Sequence, residues 1–296
     1  MQALGNDFIL IDIRKKRLKK IPQLSKTLCD RRFGVGADQV LLINNSKKAD
    51  FKIRIFNADG SEVEMCGNGV RCIAKYVWDN KVRGQARLAA KRGSGLRAQK
   101  LRKKNKKPTS LTIETLAGIM HIKKRGSLFV VDMGEPILEP EKIPVSLRVM
   151  RNLSPVLKHP LIINGRTFNI TCVSMGNPHA VIVVNNVQTV QLSQYGPVIE
   201  NHHLFPRRTN VEFIQILNRK NIKMRVWERG AGETMACGTG ASAACVASSL
   251  LGLTDRKATI HLPGGKLIID WSVKDNHVYM TGPAVKVFEG TFDLRQ

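Results

Sequence analysis

The sequence predicts an α+β chain of two pseudo-symmetric domains, each a curved, mostly antiparallel sheet wrapped around a central helix. Three observations carry this. The chain repeats itself at an offset of 171 residues: Cys66-Gly67-Asn68-Gly69 matches Cys237-Gly238-Thr239-Gly240, Gly5-Asn6 matches Gly176-Asn177, Gln39 matches Asn210, and Asn57 matches Glu228. Lys52-Ile53-Arg54-Ile55-Phe56 also aligns with Lys223-Met224-Arg225-Val226-Trp227. Short β-type runs recur in both halves, and each half carries one helix-like run directly after its Cys-Gly-x-Gly.

In the first half, Ile9–Ile13, Val40–Ile43, Lys52–Phe56, Leu111–Thr115 and Phe129–Met133 read as strands. In the second, Val181–Val184, Val211–Ile216, Lys223–Trp227, Ala258–Leu262 and Val278–Thr281 read the same way. The two helices are predicted over Gly67–Trp78 and Gly238–Leu251. The second is rich in Ala and Ser and apolar nearly all round, so it belongs at the centre of its domain. The first turns Val70, Ile73, Ala74 and Val77 inward. The junction falls between Pro136 and Pro160. This divides the chain into residues 1–135, residues 136–280, and a C-terminal segment 281–296 expected to pack back on the first half.

Length and composition allow two cores: 296 residues, 43% of them hydrophobic. No apolar run approaches the roughly 20 residues of a membrane-spanning helix, and no secretory leader is recognisable. Six scattered cysteines, without a Cys-x-x-Cys or His-x-x-x-His pair, make neither a disulfide scaffold nor a structural metal site. A reduced, cytoplasmic protein with no metal is expected. The net charge of +25 is concentrated: residues 81–107 hold twelve Lys and Arg and no acid. The repeat marks the same block. At Gly118 and Gly265 the offset falls from 171 to 147, so the first half carries 24 extra residues upstream.

The chemistry lies in the two Cys-Gly-x-Gly segments. First-turn amides of a helix lack intrahelical acceptors and, with the macrodipole, favour negative charge. A cysteine there is expected to have a lowered pKa. The glycines open the amides to an anion such as a carboxylate. Two such sites facing each other across a cleft suit removal of a proton from one face of a carbon and return to the other. The amides would stabilise the enediolate-like intermediate. That is stereoinversion at an amino-acid α-carbon without a cofactor. Cys29, Cys72, Cys172 and Cys245 lack this setting and read as structural.

The chain closely resembles the diaminopimelate epimerases, almost end to end apart from the basic block. The matching segments are Leu4–Phe8, Gly36–Gln39, Phe56–Glu62, Met65–Gly69, Met175–His179, Asn210-Val211, and Trp227–Thr234 leading to Ala236–Gly240. The resemblance implies a pyridoxal-independent isomerase that converts LL- to meso-diaminopimelate in lysine and cell-wall precursor synthesis, acting as a homodimer. Cys66 and Cys237 would be the acid/base residues, one per face, with His179 and Glu228 beside them setting their protonation. Gly67, Asn68, Gly238 and Thr239 would offer backbone N–H groups to the reacting carboxylate. Asn6, Gln39, Asn57, Asn177, Asn210 and Arg229 would line the pocket. Arg229, with Asn57 and Asn210, would hold the distal carboxylate, because a guanidinium fork can bond two oxygens. The family opens with a short strand ahead of the segment that here starts at Met1, so that strand is expected to be absent. Ala3 also replaces a glycine, and Thr239 stands where serine is common.

Two other readings compete. The proline or hydroxyproline racemases share the two-cysteine logic, but Cys66-Gly67-Asn68 and Glu228-Arg229-Gly230 depart from their motifs. A nucleic-acid-binding role would rest on residues 81–107. That block has no aromatic residue on which to stack a base, so any binding there would be non-specific phosphate attraction.

Overall fold

The computed structural model describes residues 1–82, 109–146 and 154–293. The basic block, beyond Lys81 and Val82, lies outside the described residues. Two compact units emerge: Met1–Val131 with Gly282–Gln296, and Asp132–Thr281.

The first unit runs β1 (Gln2–Ala3), β2 (Asn6–Asp12), α1 (Ile21–Cys29), β3 (Gln39–Asn44), β4 (Phe51–Asn57), β5 (Glu62–Val63), α2 (Gly67–Asp79), β6 (Ser110–Thr115), β7 (Gly118–Arg125) and β8 (Leu128–Asp132). β1 pairs antiparallel with β2 across a turn at Leu4 and Gly5, both at positive φ. β2 lies parallel to β3 and β3 antiparallel to β4. β4 is antiparallel to β5 and parallel to β6, and β6, β7 and β8 form a meander. α2 packs on β1, β2 and β3, burying Val70, Ile73, Ala74 and Val77 as its periodicity requires. The returning C-terminal segment bridges Gln2 to Val285 through two backbone hydrogen bonds of 2.9 and 2.8 Å.

The second unit repeats the plan. β9 (His159–Ile163), β10 (Arg166–Ser174) and β11 (Pro178–Val183) precede α3 (Leu192–Glu200). β12 (Asn210–Asn218), β13 (Asn221–Glu228) and β14 (Gly232–Thr234) lead into α4 (Gly238–Leu250), followed by β15 (Lys257–Leu262), β16 (Gly265–Trp271) and β17 (Val278–Gly282). Beyond the first hairpin, where β1–β2 and β10–β11 differ by one residue, the pairing of the central strands is conserved between units to the residue. Phe8 faces Gln39 as His179 faces Asn210, and Leu41 faces Ile55 as Glu212 faces Val226. Past the insertion, Phe51 faces Ile113 as Ile222 faces Ile260. α4 is buried continuously from Gly238 to Ser248 and is ringed by β10, β11, β12, β15 and β16. Small Ala and Ser side chains let it sit that deep.

Sequence patterning misses α1, α3 and the strands β1, β5, β7, β9, β10, β14 and β16. α1 opens at Lys20 in left-handed backbone with Pro22 in its first turn and no side-chain cap. α3 contains Gly196 and Pro197, which read as breakers. Gly196 is there because a Cβ would meet the Trp227 ring at 2.6 Å. Among the described residues, no helix is long and apolar enough to cross a membrane.

Candidate active site

Each unit presents its cysteine in the same way. Cys66 is the N-cap of α2 and Cys237 that of α4, both in extended backbone. Each sulfur receives the amide N–H three residues on, Gly69 to Cys66 and Gly240 to Cys237, at 3.4 Å in both cases. A cysteine thus does what Ser or Asp does at an ordinary N-cap, with its sulfur fixed at the positive end of the helix.

In the first unit the Cys66 thiol donates to Asn6 Oδ1 at 3.8 Å, and Asn68 Nδ2 donates to the same oxygen at 3.2 Å. Both amides are oriented from outside. Asp38 Oδ2 accepts from Asn6 Nδ2 at 2.7 Å, and Arg71 Nη2 donates to Asn68 Oδ1 at 2.8 Å. A carboxylate only accepts and a guanidinium only donates, so neither asparagine can flip. Asp38 is itself held by Arg31, whose fork also grips Asp7. Burial works against the Asp7 carboxylate, but Arg31 and the Asp38 amide hold it below its ordinary range. Arg71 is fully buried one turn into α2, also bonding Gly67 O and Pro283 O, and burial pulls it down to about 10. Gln39 Nε2 donates to Asn57 Oδ1 at 2.8 Å, and Asn57 Nδ2 donates to Ser61 Oγ at 3.0 Å.

The second unit surrounds Cys237 with ionisable groups. Glu228 accepts from the Cys237 thiol and from Thr234 Oγ1. Thr239 Oγ1 lies 3.4 Å from the Cys237 sulfur and receives Asn177 Nδ2 at 3.3 Å. Asn177 Oδ1 is 3.0 Å from His179 Nε2, and His179 Nδ1 is 2.7 Å from Glu212 Oε1. His179 therefore reaches Cys237 through Asn177 and Thr239. Asn210 accepts the Arg229 amide N–H at 3.0 Å and donates to Pro178 O at 2.9 Å, which pins the turn carrying Arg229 against β11. Glu200 holds the same turn through Trp227 Nε1, Gly230 N and Arg208. The Arg229 guanidinium is oriented by Arg207 O.

The expected lowering of the cysteine pKa fails at Cys237. Burial, then the negative charges of Glu228 and Glu212, push this thiol well above 9, and the Thr239 hydroxyl and Gly240 amide recover only part. The helix terminus offers up to about 2 kcal/mol, whereas full burial shifts a pKa by up to about 3–5 units. Desolvation wins, and Cys237 rests as a thiol. Burial likewise pushes Glu228 up, against hydrogen bonds from Thr234 and Cys237. The four other cysteines are raised to about 11 or 12, chiefly by burial.

Sequence reasoning missed Asp38, Arg71, Glu200 and Glu212. The repeat held the signal for two of them. The 171-residue offset sets Glu212 against Leu41 and Ser242 against Arg71, so each half has a buried charge where the other does not.

Residues 1–139 and 171–287 match the family model described as diaminopimelate epimerase. The curated diaminopimelate epimerase of Moorella thermoacetica is 50% identical over 300 residues, covering 99% of this chain and 98% of that protein. That of Acetivibrio thermocellus is 48% identical, covering 100% and 98%. Among solved structures, a probable proline racemase from Agrobacterium radiobacter K84 aligns with a TM-score of 0.66 at 14% identity, covering 99% of this chain and 91% of that one. A PhzF-family phenazine biosynthesis protein from Bacillus anthracis aligns at 0.62 and 14%, covering 96% and 92%. These distant likenesses show the fold, whereas the full-length identities near one half show more: the chain belongs to the diaminopimelate epimerase family.

Proposed function

We propose that this chain is a pyridoxal-independent isomerase that interconverts LL- and meso-2,6-diaminopimelate by proton transfer at one α-carbon, on the route to lysine and cell-wall precursors. The observation that carries the reading is the doubled cysteine N-cap, each sulfur seated on its own helix terminus. It occurs in a chain about half identical, end to end, to curated diaminopimelate epimerases.

Cys237 rests as a thiol, so it starts as the proton donor, and removal of the α-proton falls to Cys66 once its own thiol proton has passed to solvent. The backbone amides of Gly67, Asn68, Gly238 and Thr239 receive the reacting carboxylate, whose oxygens take up charge as the α-carbon is deprotonated. Cys237 then delivers its proton to the opposite face. This leaves Cys66 as thiol and Cys237 as thiolate, ready for the reverse reaction or for resetting by solvent. Glu228, bonded to Cys237 and raised by burial, is placed to return a proton to that sulfur. Asn6, Gln39 and Asn177 orient the amino acid, and Arg229 with Asn57 and Asn210 takes the distal carboxylate. The working form is a cytoplasmic homodimer, which sedimentation and cell fractionation test.

The assay is incubation of LL-diaminopimelate with the purified chain and no pyridoxal phosphate, followed by chromatographic separation of the LL and meso forms. Meso product from wild type, and none from Cys66→Ala or Cys237→Ala, is expected. A single alanine variant with near-normal turnover contradicts the two-base reading. Turnover of proline but not diaminopimelate would favour the racemase alternative, whose solved relatives share the fold.

A further inference from the structure

We propose that Glu200 is a positioning residue for Arg229: it aims the turn that carries the guanidinium, and so sets how tightly the substrate's distal carboxylate is held. The proposal rests on the functional reading above.

The repeat shows that the scaffold does not need this carboxyl group. α1 and α3 stand 171 residues apart, which sets Glu200 against Cys29, Arg208 against Ala37 and Trp227 against Phe56. In the first unit Cys29, Ala37 and Phe56 are buried together in one apolar cluster. In the second unit the same three positions form a polar corner. The buried Glu200 carboxyl accepts from Trp227 Nε1 at 2.8 Å and from Arg208 Nη1 at 3.2 Å. Burying a carboxyl here carries a desolvation cost that the apolar corner avoids. The units also differ at the turn beside this corner. Ala58 occupies the first-unit position that Arg229 takes in the second. The polar corner thus comes with the turn that carries an arginine.

The contacts show how the turn is aimed. Residues 228–231 form a tight turn, closed by the Ala231 amide on Glu228 O at 3.0 Å, with Gly230 at a φ of 76°. Glu228 is fixed by the ladder, where it faces Gly232, and by Thr234. Arg229 and Gly230 lie beyond the ladder and are exposed. Side chains tie their two amides: Arg229 N donates to Asn210 Oδ1 at 3.0 Å, and Gly230 N to Glu200 Oε1 at 2.9 Å. Glu200 reaches the guanidinium by a second route. Arg208 bonds its carboxyl and the Thr209 amide bonds its carbonyl oxygen at 3.2 Å, while the neighbouring Arg207 O receives Arg229 Nη1 at 3.1 Å. An indole N–H, a backbone N–H and a guanidinium can only donate, so the partners themselves fix the direction of every bond to the carboxyl. Without it, Gly230 N loses its acceptor and the chain around Arg207 loses one anchor. Glu228 stays on its ladder, so the loss falls on the substrate grip and not on the group beside Cys237.

The test is Glu200→Cys, the residue at the matched place in the first unit, made in the full-length protein. Steady-state kinetics with LL-diaminopimelate should show KM raised about tenfold, with kcat within about threefold of wild type. In the Arg229→Lys background, which has no fork to aim, the same change should move KM by less than about threefold. Amide hydrogen exchange followed by ¹⁵N NMR should find Gly230 protected in wild type and exchanging at least about tenfold faster in Glu200→Cys. If Glu200→Cys does not fold, Glu200→Cys with Trp227→Phe, which restores the first unit's pairing, carries the same expectations. An unchanged KM, an equal rise of KM in both backgrounds, or an unprotected Gly230 amide in wild type overturns the proposal. Wild type inert toward diaminopimelate would overturn the functional reading and this proposal with it, whereas normal wild-type turnover with any of those three results overturns this proposal alone.

Discussion

Gly240→Ala tests how tightly the α4 terminus is fitted to the groups beneath it, and Gly69→Ala is its internal control. A Cβ at Gly240 would stand 2.6 Å from Glu212 Oε1, with Met224 Cε at 3.2 Å and Cys237 Cβ at 3.3 Å. Ordinary contact begins at 3.4 Å, so the carboxylate or the helix must move by about 0.8 Å. Glu212 cannot swing aside, since it is fully buried and bonded to His179 at 2.7 Å. Breaking that bond costs about 1.5–3 kcal/mol and overpacking about 1–3 kcal/mol. Alanine's better helix propensity returns about 1 kcal/mol. The net destabilisation is about 1.5–5 kcal/mol, a fall in Tm of about 3 °C or more. At Gly69 the new Cβ meets only Leu41 Cδ2 at 3.0 Å, the end of a flexible side chain, and the cost should stay within about 1 kcal/mol. Thermal and urea melts of both variants, with kcat measured alongside, decide the matter. A Gly240→Ala protein that melts with wild type, or a Gly69→Ala protein equally damaged, refutes the reasoning.

Three further outcomes are expected. Asp38→Asn frees the Asn6 amide to flip, because an amide can donate where the carboxylate only accepts; kcat should fall about tenfold while stability changes by less than about 1 kcal/mol, measured by kinetics and melts. Alkylation of Cys237 by iodoacetamide, followed by peptide mapping, should be slow at pH 7.5 and rise about tenfold per pH unit through pH 9, since only the thiolate reacts and burial holds the group as a thiol; a plateau below pH 8 would contradict this. Arg229→Lys should raise KM about tenfold or more with kcat little changed, because a point charge cannot replace a fork on a carboxylate; an unchanged KM would remove Arg229 from the distal site.

The fold was legible wherever the two halves share register. The 171-residue offset tied Asn6 to Asn177 and Cys66 to Cys237, and the strand ladders follow the same offset residue by residue. Elements without a clean period were not legible, although α1 and α3 stand at the same 171-residue offset: α1 is short and uncapped, and α3 carries Gly196 to admit a tryptophan ring. At the site, identical residue types in identical motifs concealed different surroundings. Cys66-Gly67 and Cys237-Gly238 read alike, yet the charges beneath them differ, Arg71 under one and Glu212 under the other. A motif reports backbone geometry. The acidity of the sulfur is set by burial and by neighbours distant in sequence, and for Cys237 these reversed the sign of the expected shift. Glu212 was nevertheless visible as the one acid within the run Val211–Ile216, opposite a leucine in the repeat.

The central claim is that two sulfurs, Cys66 and Cys237, divide one proton transfer between two faces of a carbon. Its most direct test follows LL-diaminopimelate in D2O at low conversion, with the deuterium content of recovered substrate and of meso product measured separately. The account predicts solvent deuterium at the inverted carbon of nearly every meso molecule and almost none in the remaining LL substrate. A single base serving both faces would return the substrate's own hydrogen to the product, or place deuterium in both pools alike, and either result contradicts the account.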